Sequence, residues 1–140
     1  MKHHHPGVRV LLILVHLGWA AAVYHKPNAP LLLASYSRFD DMAPWHLWGW
    51  AALGIAFLMY FTRPGSLGAQ LANFLSSIFF FAVAAAVGQG VGFIPNVPTN
   101  TLLAFASLAL WAADFRVWFA DLRWVKRLVA NPPSGWKSER

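Results

Sequence analysis

Six histidines and five carboxylates are the groups in this chain with most scope for chemistry. Only one of them, His16, lies deep inside an apolar run. It sits eight residues before Tyr24, about 12 Å from the end of the run if the segment is helical. A neutral imidazole at that depth has two uses. It can hydrogen-bond a neighbouring helix, with Ser107 at a similar depth as the expected partner. It can also serve as an axial ligand to haem iron or a chlorophyll magnesium, which makes His16 the candidate cofactor-binding residue. A bis-histidine haem needs a second histidine at matching depth, and the chain has none. The isolated chain is therefore expected to bind neither haem nor chlorophyll, and the sequence requires no cofactor.

His25 and His46 are expected near one membrane surface, at the end of the first apolar run and the start of the second. With Asp40 or Asp41 they make a candidate metal site, although two imidazoles alone are too few for a closed zinc site. Met1-Lys2-His3 is a second candidate: a free amine, two amides and the His3 imidazole suit square-planar Cu(II). Asp40-Asp41 precedes Pro44 and is explained by a helix start. No phosphate-binding glycine loop, Ser/His/Asp set, zinc-protease motif or paired catalytic carboxylate is present. Without cysteine, thiolate metal sites, iron–sulfur clusters and disulfides are excluded. The chemistry on offer is thin, and a non-enzymatic role is the expectation.

The elements that must position these residues are four apolar runs, Val8–Tyr24, Trp45–Phe61, Leu67–Phe93 and Thr99–Phe119. About 20 apolar residues cross a hydrocarbon core of ~30 Å. Of the 140 residues, 58% are hydrophobic and 11% charged, against about 25% charged in a soluble domain. So small a chain has too little interior to hide four such runs from water. The expected fold is all-α: a bundle of four transmembrane helices over residues 1–131, then a polar tail over 132–140. The basic start and Ala20-Ala21-Ala22 have the layout of a signal peptide, but the first run is read as a retained helix.

The net charge of +6 orients the chain better than it suggests nucleic acid, which is not an expected partner. With four spans, nine of the eleven Lys and Arg residues fall on the side of the termini. Only Lys26 and Arg38 fall opposite. Both termini are then cytoplasmic, and a bacterial inner membrane is the expected location.

Small residues four apart should let helices pack closely: Gly18 and Ala22, Ala52 and Ala56, and Ala82, Ala86 and Gly90. The last helix is expected to run on as one amphipathic piece to about Val129. Arg116, Arg123, Lys126 and Arg127 would then hold it at lipid headgroups. Arg9 and Asp114 lie near span ends, within reach of water. Trp45, Trp48 and Trp50 read as a belt at one interface. The expected partners are the bilayer and other membrane subunits or further copies of the chain. The expected function is an accessory or scaffold subunit of a larger, energy-converting membrane complex. A homo-oligomeric pore such as a phage holin and a small-molecule transporter are the alternatives.

Overall fold

The structure is a computed structural model, described here for residues 5–131. His3 and the polar tail over 132–140 lie outside that range. The described chain is helical throughout, without strands. Its order is α1 (Pro6–His25), α2 (Ala29–Leu32), a 3-10 turn (Ala34–Tyr36), α3 (Phe39–Met42), α4 (Trp45–Phe61), α5 (Leu67–Val91), α6 (Asn96–Asp121) and α7 (Arg123–Ala130).

Every apolar run forms a helix. α1, α5 and α6, of 20, 25 and 26 residues, are long and apolar enough to cross a membrane. α4 is apolar but shorter, at 17 residues. Pro6 starts α1, where a missing N–H costs nothing. Ser66 caps α5, its hydroxyl accepting from the Ala69 N–H at 3.1 Å. Gly92, at φ 77°, ends α5 in a conformation that disfavours any side chain. α6 begins at Asn96 after Pro95, three residues before the apolar run that starts at Thr99. Thr99 instead donates back to the Pro95 carbonyl at 2.7 Å.

α5 is the central helix. In its most apolar window 56% of residues are buried, against 17% in each of α1 and α6. It packs mainly on α6, while α1 packs mainly on α4. The ends of α1 and α4 are tied together. Arg9, near the start of α1, donates to carbonyls at the end of α4. Trp45, at the start of α4, donates from its indole N–H to the Lys26 carbonyl at 2.9 Å. The two helices are therefore antiparallel and run beside each other over their full length.

The connection after α1 folds onto the helices. Phe39 is fully buried and packs against Trp19, Tyr36, Trp45 and Trp48 with ring centroids 4.8–5.9 Å apart. Asp40 caps α4, accepting from the Trp45 N–H at 2.7 Å. Trp45 and Trp48 are thus interior residues, each 7% exposed, and do not form the surface belt expected. Trp48 turns its indole N–H to the Ala43 carbonyl at 3.0 Å, so its ring can be buried without an orphaned donor. Trp50 alone of the three is exposed.

The long final helix is a second difference. Leu122 is extended, at φ −63° and ψ 131°, and separates α6 from α7. α6 is already about 39 Å long, beyond the ~30 Å of hydrocarbon. A break there frees α7, which is amphipathic, from the axis of α6.

Candidate functional site

Polar side chains inside the helices gather in two layers. The first lies at the end where α1 starts and α4 meets α5. Asp114 of α6 is 9% exposed and is held on both carboxylate oxygens. Oδ1 accepts from the Gly65 N–H at 2.9 Å, and Oδ2 accepts from Asn73 Nδ2 at 2.8 Å. Gly65 sits at φ 80° in the Pro64–Gly65 turn, which aims its N–H at α6. Asp114 is therefore a buried structural acceptor, not a group freely bathed in water as its place near a span end suggested. Arg9 is turned onto α4. Its Nε donates to the Met59 carbonyl at 3.0 Å, and its Nη2 donates to Met59, to the Thr62 carbonyl at 2.5 Å and to Thr62 Oγ1 at 2.9 Å. These are the C-terminal carbonyls that a helix leaves unpaired, and a guanidinium suits them.

Arg9, Asn73 and Asp114 line one cavity of about 190 Å³, whose other walls include Val10, Ile13 and Leu110. Arg9 and Asp114 interact through space but are not close enough to form an ion pair.

The second layer lies one turn deeper. His16 and Ser76 follow Ile13 and Asn73 of the cavity wall by three residues, and Ser107 precedes Leu110 by three, an axial step of about 4.5 Å on each helix. His16 Nε2 is 2.8 Å from Ser76 Oγ, and Ser76 Oγ is 2.8 Å from Ser107 Oγ. Ser107 in turn donates to the Leu103 carbonyl at 2.9 Å when its proton points there. All three side chains have no exposed surface. The expected partner, Ser107, is present at the right depth, but Ser76 stands between it and His16. The imidazole is held between Phe79 and Phe80, with centroids 5.0 and 4.7 Å away. Iron or magnesium could reach Nε2 only by displacing Ser76.

A Ser–His contact of this length suggests an activated nucleophile. This one lacks the remaining parts. His16 Nδ1 is buried without a partner, so no carboxylate orients the ring. Ser76 is sealed from solvent. Gln70 Nε2 and Asn73 Oδ1 are also buried and unpaired. A buried group of this kind costs about 1–3 kcal/mol unless water or a ligand serves it.

The other candidate residues are more dispersed. His25 and His46 are exposed and line different grooves, and no group of three or more His, Cys, Asp or Glu side chains among the described residues could hold a metal ion. Ala86 is fully buried and Ala82 partly so. Gly90 is a close-contact site, where an added Cβ would lie 2.7 Å from the Ala34 carbonyl oxygen. Gly18 and Ala22 are exposed, and nothing lies within 4 Å of a Cβ added at Gly18. Among the described residues the stripe is open, with Gly18 and Ala22 lining a groove beside Lys26 and Leu33. Arg116, Arg123, Lys126 and Arg127 are all exposed, and Lys126 pairs with Asp121 at 3.1 Å across the Leu122 break. No family model matches the chain, and neither a curated protein nor a solved structure is significantly similar to it.

Proposed function

We propose that this chain is an integral membrane protein of four spans and a non-enzymatic accessory or scaffold subunit of a larger membrane complex. The observation that carries the four-span reading is the pairing of α1 and α4 at both ends. Arg9 meets Met59 and Thr62 at one end, and Trp45 meets Lys26 at the other. A helix fastened along the whole of α1 occupies the same depth as α1. At 17 residues and about 26 Å, α4 is near the lower limit for a span. The nine-to-two distribution of Lys and Arg favours cytoplasmic termini in a bacterial inner membrane.

The subunit reading is supported by how the polar interior is used. His16, Ser76, Ser107, Asn73 and Asp114 bond one another and tie α1, α5 and α6 together. The aromatic group around Phe39 fills the opposite end. Among the described residues, the buried polar side chain farther along the helices from His16 is Asn100, which bonds Asn96 of its own helix and does not continue the chain of contacts from His16. The outward apolar faces of α1 and α6, with the open Gly18–Ala22 stripe, are free for lipid or another subunit. Isolation from native membranes tests this. A complex containing other proteins in fixed ratio is expected. Homo-oligomers alone, with abrupt lysis on expression in bacteria, would replace the subunit reading by the pore. Reporter fusions after Arg140 and within Pro27–Phe39 should report opposite sides of the membrane, and the same side would end the four-span reading.

A further inference from the structure

A groove of about 440 Å³ runs along one face of α1, from Lys26 just past its end to Val15 near its middle. The axial distance is about 16 Å, close to one leaflet of a hydrocarbon core of ~30 Å. Gly18 and Ala22 keep its floor low, and a Cβ added at Gly18 would meet nothing within 4 Å. Ala29, Leu33 and Tyr36 of the returning chain line it, with Trp19 and Trp45.

The side-chain groups left free along this groove can all donate. Trp45 spends its indole N–H on the Lys26 carbonyl. Trp19 Nε1 and Tyr36 Oη make no hydrogen bond among the described residues, and both keep accessible surface, unlike the sealed Asn73 Oδ1. The Lys26 ammonium has no ion pair among the described residues. No carboxylate lines the groove, since Asp40 accepts from the Trp45 N–H and Asp41 pairs with Arg38. Trp19 stands six residues before His25, about 9 Å down the axis from the end of α1. At that depth a bilayer supplies no water, and an indole N–H without an acceptor is costly.

We propose that the groove holds one anionic, ester-linked phospholipid. Its phosphate meets Lys26, an ester carbonyl accepts from the Trp19 indole, and one acyl chain lies over Gly18 and Ala22 toward Val15. Lys26 can carry its ammonium to the headgroups on its own apolar stem. A zwitterionic lipid brings a second cation beside Lys26, and an ether-linked lipid has no carbonyl to offer. A partner helix would cover the stripe, but its backbone carbonyls are already bonded within the helix, so it leaves the Trp19 N–H unserved.

The inference rests on the membrane reading above, and one experiment separates the two. The full chain, labelled with ¹⁵N, is placed in phosphatidylcholine bicelles, and phosphatidylglycerol is titrated in. The indole N–H resonance of Trp19, assigned by its loss in Trp19→Phe, should move downfield and saturate. Trp124 of α7 gives its own resonance, so lipid binding there is read apart. Lys26→Gln should raise the phosphatidylglycerol needed by about tenfold, as loss of one charge-assisted contact gives. Gly18→Leu fills the floor from an open position, so folding is spared, and it should abolish the shift. Diether phosphatidylglycerol, which has the charge but no carbonyl, should not produce it. A Trp19 resonance that ignores phosphatidylglycerol, or that responds equally to the diether lipid or in Gly18→Leu, overturns the proposal while leaving the membrane reading intact. A shift that follows the ratio of chain to total lipid, and not the phosphatidylglycerol fraction, puts a second copy of the chain in the groove and overturns the lipid. A chain that does not enter the bicelles overturns both readings.

Discussion

Ser76 Oγ lies 2.8 Å from His16 Nε2, fastening α5 to α1 in the middle of the molecule. The same oxygen lies 2.8 Å from Ser107, so one hydroxyl joins three helices. A hydroxyl has one proton and two lone pairs, enough for both contacts once the imidazole tautomer is chosen. Removing the central member orphans His16 and leaves Ser107 with the Leu103 carbonyl alone.

Ser76→Ala should therefore destabilise the fold by about 1–2 kcal/mol, the upper part of the range for hydrogen bonds between membrane helices. Ser107→Ala should cost less, because His16 keeps its partner. A double-mutant cycle with His16→Phe gives the coupling directly. Unfolding in mixed micelles, followed by circular dichroism, measures all of these. Additive losses for His16→Phe and Ser76→Ala would mean that the contact contributes nothing.

Asp114→Ala should be more damaging than any exposed carboxylate change. It strips acceptors from Gly65 and Asn73 in one step, and an orphaned buried donor costs about 1–3 kcal/mol. Asp41→Asn is the control. Its ion pair with Arg38, at 3.1 Å, has both side chains more than half exposed, so the expected change is within about 0.5 kcal/mol. The same micelle unfolding curves rank the two, and similar midpoints would remove Asp114 from its structural role.

What the sequence makes legible here follows from periodicity and length. α4 occupies Trp45–Phe61, the span its apolar run marks out, because Pro44 and Thr62 flank an uninterrupted apolar stretch. Gly92 and Pro95 decide the ends of α5 and α6 by backbone restriction, which hydropathy does not register. The depth of His16 can be counted along a helix. Its partner cannot, because Ser76 and Ser107 are at similar depths and only the rotation of each helix decides which one meets the ring. Arg9 and Asp114 look alike from sequence, as charges near span ends. Asp114 is buried because Gly65 and Asn73 come from a turn and a helix whose approach is tertiary. Trp45 and Trp48 read as interfacial residues, yet the chain from Ala34 to Met42 folds back over them, and no local signal announces that cover.

Glycine substitutions separate close packing from open surface. A Cβ at Gly90 would lie 2.7 Å from the Ala34 carbonyl oxygen, which is backbone and cannot rotate away. Gly90→Ala should push the 3-10 turn off α5 and lower stability. Gly18→Ala meets nothing within 4 Å and should be neutral or gain up to about 1 kcal/mol from helix propensity. Thermal unfolding of the purified chain distinguishes them. If Gly18→Ala leaves the isolated chain stable but abolishes copurification with other subunits, the Gly18–Ala22 stripe is where a partner helix packs.

α7 is the one helix whose sequence alternates basic and apolar residues so strongly that a lipid surface explains it better than a protein core. None of its residues is buried, and Trp124 and Val129 are exposed. In the intact chain, Arg123, Lys126 and Arg127 should bind α7 to anionic lipid, each contributing on the order of 1 kcal/mol at low salt. Lys126 should contribute least of the three, because its ammonium is already paired with Asp121 at 3.1 Å. Trp124 reports the event. Its fluorescence should shift to the blue in nanodiscs containing phosphatidylglycerol and much less in neutral ones. The shift should fade as salt shortens the Debye length from about 10 Å at 0.1 M to about 3 Å at 1 M. Arg123→Glu with Arg127→Glu should abolish it. A shift that is the same in neutral lipid and survives high salt would show that Trp124 and Val125 anchor the helix by burial alone, leaving the basic face for a protein partner.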